Sequence, residues 1–201
     1  RRTGVSGHVV LTGHRLERVQ TLIIGGAMAN TFLASQGLLM GASLVEEDKL
    51  ALARNLLEKA QRRNVNVLLP VDLRIGTSLD DKVGQVAELE VPDGQMALDI
   101  GPATEVEYAA AIAEAGTVFW NGPMGLFENK AFASGTLAVA RALASCRGFT
   151  VVGGGDSVAA VQDAGTADQY DHVSTGGGAS LQYLQGERLP GGDALRTKVL
   201  R

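Results

Sequence analysis

Hydrophobic positions along the chain fall into two rhythms. The first is a short, unbroken apolar run that ends in glycine. It occurs four times: Thr21-Leu-Ile-Ile-Gly-Gly26, Thr117-Val-Phe-Trp-Asn-Gly122, Phe149-Thr-Val-Val-Gly-Gly-Gly155 and His172-Val-Ser-Thr-Gly-Gly-Gly178. Runs of this kind predict strands buried on both faces. The glycines permit a sharp turn and leave backbone N–H groups open to a ligand. Three of the four corners lead into sequence that reads as helix. Ligands of open α/β sheets bind at the ends of such strands, and exposed helix N-termini favour phosphate. The pattern points to a phosphate-bearing ligand.

The second rhythm is helical. Over Glu46 to Arg63, Leu50, Ala53, Leu57 and Ala60 form one apolar stripe widened by Leu56. Glu46, Glu47 and Asp48 stand at its start and Lys59, Arg62 and Arg63 at its end, as the helix macrodipole prefers. A strand follows over Val65 to Leu69, closed by Pro70. Ile75 to Val91 is weakly patterned and reads as an irregular connection with an edge strand. Met96 to Ile100 predicts a strand. Pro102 opens a helix to about Ala115, where its missing N–H costs little. Further helices are predicted over Lys130 to Ser145, Ser157 to Ala164 and Ala179 to Gln185.

Such alternation predicts an α/β fold with right-handed crossovers: a Rossmann-like, open, mainly parallel sheet flanked by helices in three layers. No linker, repeat or low-complexity tract divides residues 1–201, so a single domain is expected, with an atypical segment over 1–21 and a loosely specified tail over 191–201.

Composition narrows the classes of function. Glycine supplies 26 of 201 residues, well above the usual ~7%, and the excess sits at strand ends. A net charge of -4 without basic clusters argues against non-specific nucleic-acid binding. No apolar stretch nears the ~20 residues of a membrane span, and Arg1-Arg-Thr-Gly4 has no signal-peptide core. The single cysteine, Cys146, excludes an internal disulfide and fits a reducing cytoplasm.

Three corners carry candidate chemistry. In Gly153-Gly-Gly-Asp-Ser157 the glycine amides can wrap an anion. Asp156 can hold Mg²⁺, which bridges one or two carboxylates to phosphate, or serve as an N-cap. Ser174-Thr-Gly-Gly-Gly-Ala-Ser180 offers donors suited to charge on a transferring phosphoryl group. Trp120-Asn-Gly-Pro-Met-Gly-Leu-Phe-Glu128 makes a rigid turn, with Glu128 a candidate acceptor for ribose hydroxyls and Trp120 a core residue. There is no G-x-x-x-x-G-K-[ST], no G-x-G-x-x-G and no G-x-S-x-G. His8, His14 and His172 lack metal-ligand spacing.

These motifs, with Leu22-Ile-Ile-Gly-Gly-Ala-Met-Ala29, Leu98-Asp-Ile-Gly-Pro102 and Gly186-Glu-Arg-Leu-Pro-Gly191, resemble the C-terminal, nucleotide-binding half of phosphoglycerate kinase from about Leu22 to Gly191. The resemblance implies reversible phosphoryl transfer between 1,3-bisphosphoglycerate and ADP, giving 3-phosphoglycerate and MgATP, in a cytoplasmic monomer. It implies that Gly25 and Gly26 border the adenine, that Asn121 and Pro123 flank the nucleoside, and that Glu128 accepts from the ribose. It also implies that Gly153, Gly154, Gly155 and Ser157 line the phosphates with Asp156 on Mg²⁺, and that Thr175, Gly176 and Gly177 face the moving group. Such transfer needs mainly positioning and charge neutralisation.

Some positions depart from the family pattern. Ala97 stands where the nucleotide pocket usually has glycine, and Gln95 where it often has tryptophan. A gapless count back from Leu22 puts Gly4 and His8 where the family has two lysines. The acyl-phosphate-binding half, which would take 3-phosphoglycerate or 1,3-bisphosphoglycerate, is expected to be missing. Two readings stand: the nucleotide half of a phosphoglycerate kinase, or a non-catalytic adenine-nucleotide-binding module. A dinucleotide-dependent oxidoreductase is a poor third.

Overall fold

The computed structural model describes residues 20–174. The predicted helix over 179–185, the corner beyond Ser174 with Thr175, Gly176 and Gly177, the positions Gly4 and His8, and the tail over 191–201 lie outside the described residues.

Strand β1 (Thr21–Ile23) runs into helix α1 (Gly26–Ser35). A 3-10 turn (Glu47–Lys49) then leads into α2 (Leu50–Arg62) and β2 (Asn66–Leu68), which pairs parallel with β1. The apolar stripe of α2 does what its spacing predicts: Ala53, Leu56 and Ala60 are buried against Ile24, Ala29 and Phe32.

Later in the chain β6 (Thr117–Asn121), β7 (Phe149–Gly153) and β8 (His172–Ser174) form a parallel sheet in that order. The crossovers are α4 (Ser134–Ala144) and α5 (Gly155–Asp163). Helix α3 (Pro102–Ala113) precedes β6, with Pro102 in its first turn as predicted. The core here joins Tyr108 and Ile112 of α3, Trp120, Val152, and Val139, Ala140 and Leu143 of α4. Trp120 is a core residue, 5% exposed. Parallel sheets flanked by helices give the open three-layer α/β arrangement predicted.

The middle of the chain differs. β3 (Leu73–Gly76) pairs antiparallel with both β4 (Gln85–Ala87) and β5 (Met96–Ile100). The strand at Met96–Ile100 is where the pattern puts it, but its partner runs the other way. Strand direction is set by what lies between strands, and 77–95 holds a hairpin excursion and no crossover helix. The helix expected from Lys130 begins at Ser134, because Asn129 caps a separate 3-10 turn over Lys130–Phe132. Among the described residues no helix is long and apolar enough to cross a membrane.

Candidate functional site

The parallel register places Asn121, Gly153 and Ser174 level with one another at the C-terminal ends of β6, β7 and β8. The corners beyond these ends are tied together by short hydrogen bonds. The N–H of Gly26 donates to Met124 O at 2.7 Å, joining the first corner to the second. The N–H of Gly122 donates to Ser157 Oγ at 2.6 Å, joining the second to the third. The N–H of Gly154 donates to Ser174 O at 3.1 Å, joining the third to β8. All four predicted strand ends therefore meet along one edge.

Two glycines are required by this geometry. Gly154 has φ +95°, a region that favours glycine, and a Cβ there would lie 2.5 Å from Asn121 Oδ1. Gly25 is needed for close approach, since a Cβ would stand 2.5 Å from Met124 Sδ. By contrast, a Cβ on Gly155 would meet open space. The first intrahelical bond of α5 runs from Val158 N–H to Gly154 O at 3.0 Å. The N–H groups of Gly155, Asp156 and Ser157 thus precede the helix ladder and have no intrahelical acceptor. They form an anion-favouring terminus.

The structure assigns distinct tasks to the sequence-predicted residues. Gly153 is buried in β7. The amide of Gly154 is committed to Ser174. Ser157 is wholly buried and its hydroxyl accepts the Gly122 N–H, so its side chain braces the second corner from within the fold. Asp156 is exposed in the first turn of α5, whose N-cap is Gly154. The alternative reading of Asp156 as the cap therefore falls. Its carboxylate suits Mg²⁺, which keeps waters and bridges few carboxylates to phosphate. Among the described residues there is no group of three or more His, Cys, Asp or Glu that could hold a metal ion.

Gly26 and Pro123 meet directly: a Cβ on Gly26, at φ +64°, would lie 3.1 Å from Pro123 O. Ala97 is half-buried on β5, its N–H donating to Ser43 Oγ at 2.8 Å and its methyl packed against the Leu33–Met40–Ile75 cluster. Its neighbour Leu98 accepts the Leu126 N–H at 2.7 Å, which binds β5 to the loop carrying Glu128. Glu128 is exposed and lines an open groove with Leu79, Asp80 and Lys82.

Three residues that support the site were not singled out from the sequence. Tyr108, wholly buried, donates its hydroxyl to Ile24 O at 2.6 Å, directly ahead of Gly25. Thr136 Oγ1 accepts the Met124 N–H at 3.0 Å. Asp99 is buried beneath the 122–128 loop, accepting from Ile100 N–H at 2.9 Å and Gly135 N–H at 2.8 Å. Burial pushes the Asp99 carboxyl up to about 7, against the pull of those N–H groups. The signal for Asp99 was available: a lone acid inside an apolar strand.

Residues 4–187 match the protein-family model described as phosphoglycerate kinase. The chain is 55% identical over 196 residues to phosphoglycerate kinase of Moorella thermoacetica, covering 96% of this chain and 50% of that protein. The solved phosphoglycerate kinase of Coxiella burnetii is similar with TM-score 0.88 and 41% identity, covering 92% of this chain and 49% of that one. That of Pyrococcus horikoshii gives TM-score 0.73 and 30% identity, covering 96% and 50%. The chain spans about half the length of the curated relatives it matches.

Proposed function

The chain belongs to the phosphoglycerate kinase family, and on that premise we propose that it is the nucleotide-binding half of such an enzyme. It holds ADP or ATP with Mg²⁺ for phosphoryl exchange with 1,3-bisphosphoglycerate. The observation that carries this reading is the meeting of three glycine corners and the end of β8 on one edge, with the amides of Gly155, Asp156 and Ser157 at a helix start beside an exposed carboxylate.

In this reading the α5 terminus receives the phosphate tail, and Gly155 leaves room for close approach of an oxygen. Asp156 holds Mg²⁺, which supplies charge neutralisation across the nucleotide oxygens. Gly25, Gly26 and Ala97 border the base, Asn121 and Pro123 the nucleoside, and Glu128 accepts from the ribose. Thr175, Gly176 and Gly177 face the moving group. Donors fixed before reaction cost no reorganisation when charge develops, and the hydrogen-bonded corners provide that fixity. The acyl phosphate requires the remaining half of a full-length family member, so turnover needs both.

A coupled ATP-forming assay run beside MgADP calorimetry tests this. The expected outcome is saturable MgADP binding by this chain, with turnover only when the other half is supplied. Turnover by this chain without the other half, or no MgADP binding, contradicts the reading.

A further inference from the structure

We propose that Asn129 is a positioning residue that holds Glu128 in place for ribose recognition. The proposal rests on the reading of Glu128 as the ribose acceptor. Glu128 is an exposed side chain on a loop, and an ordered contact from such a group depends on its backbone being fixed beforehand. On one side that fixing comes from β5, through Leu126 N–H to Leu98 O at 2.7 Å. On the other side it comes from Asn129.

Every polar atom of the Asn129 amide is used. Its Nδ2 donates to Leu79 O and to Asp81 O, both at 2.8 Å. Its Oδ1 accepts the Ala131 N–H at 3.0 Å, capping the 3-10 turn that follows. Two carbonyls on one side and an N–H on the other admit only this orientation of the amide. The accepting turn is itself organised by Asp81, whose Oδ2 accepts from Thr77 N–H at 2.7 Å and Ser78 N–H at 3.1 Å. Glu128 thus sits between two anchors, and Asn129 ties its loop to residues 77–81, about fifty positions earlier in the chain.

Asn129→Asp is the discriminating change. It keeps the Oδ1 cap but turns an oxygen toward the two carbonyls, so the clamp becomes repulsive. The measurement is the ratio of affinities of the 201-residue chain for ADP and for 2′,3′-dideoxy-ADP. A charge-assisted hydrogen bond to the ribose gives a preference of about tenfold for ADP in the unmutated chain, and Glu128→Ala reduces it to near one. Asn129→Asp is expected to lower the ratio to the Glu128→Ala value. A purely structural role would instead lower the melting temperature and weaken both ligands equally. If Asn129→Asp keeps the unmutated ratio, the proposal is overturned while the ribose reading stands. If the unmutated chain shows no preference, the ribose reading fails and takes the proposal with it. Should Asn129→Asp not fold, Asp81→Ala loosens the clamp from the accepting side; it is expected to lower the ratio, and an unchanged ratio overturns the proposal.

Discussion

Ser157 Oγ lies 2.6 Å from the amide nitrogen of Gly122 and accepts its N–H inside the fold, where Ser157 has no exposed surface. This bond makes one rigid unit of two corners that are 35 residues apart. Gly122 is only half-buried, but an N–H held inside the corner still bears a desolvation cost when it loses its acceptor. Ser157→Ala is therefore expected to destabilise the chain by about 1–3 kcal/mol, read from urea midpoints. An unchanged midpoint would show that Gly122 is satisfied in another way.

Adjacent glycines should respond in opposite ways. Gly154→Ala forces a side chain into φ +95° and onto Asn121, costing on the order of 1–3 kcal/mol of stability. Gly155→Ala meets open space and should leave the midpoint within about 0.5 kcal/mol. Its methyl should nonetheless reduce ADP affinity severalfold by blocking the approach of phosphate. Unaltered ADP affinity in Gly155→Ala counts against a phosphate seat there.

Tyr108 fixes the first corner from below. Tyr108→Phe keeps the ring packed but leaves Ile24 O without its 2.6 Å partner. A loss of about 1–2 kcal/mol is expected, with weaker ADP binding as Gly25 and Gly26 loosen. Stability and affinity both unchanged would remove Tyr108 from the account.

Much of this arrangement was legible in the sequence, because its determinants are local. The three glycine corners within residues 20–174, the α2 stripe and the Pro102 start each depend on a few neighbouring residues, and the structure reproduces them. Three features were hidden, each for a long-range reason. The antiparallel pairing of Met96–Ile100 depends on Leu73–Gly76, a short strand with a weak pattern of its own. The bracing role of the Ser157 hydroxyl depends on Gly122, 35 residues earlier, so it could not be read from local sequence. The N-cap of α5 is Gly154, not Asp156, and glycine can hold the backbone there at φ +95°.

Asp99 gives the fold a pH dependence of known sign. Its carboxyl is raised from 3.8 to about 7 by burial, so between those values the native state binds more protons than the unfolded chain. The stability from protonated Asp99 is full below about pH 4 and is lost as pH rises through about 7. Asp99→Asn removes the titrating group and should flatten that decline between pH 4 and 7, measured by denaturant midpoints across the range. A decline of the same steepness in Asp99→Asn assigns it to other groups.

Asp156 separates metal from nucleotide. Asp156→Ala should weaken MgADP much more than metal-free ADP, because the carboxylate is exposed and the cap of α5 is Gly154. Equal losses for the two ligands would contradict a metal role.

The most direct measurement is the amide ¹H–¹⁵N spectrum of the 201-residue chain titrated with MgADP. The account expects saturable shifts centred on Gly155, Asp156 and Ser157, with a second group at Gly25 and Gly26. Saturation by MgADP with those five amides unmoved, or no response at any concentration, would contradict it.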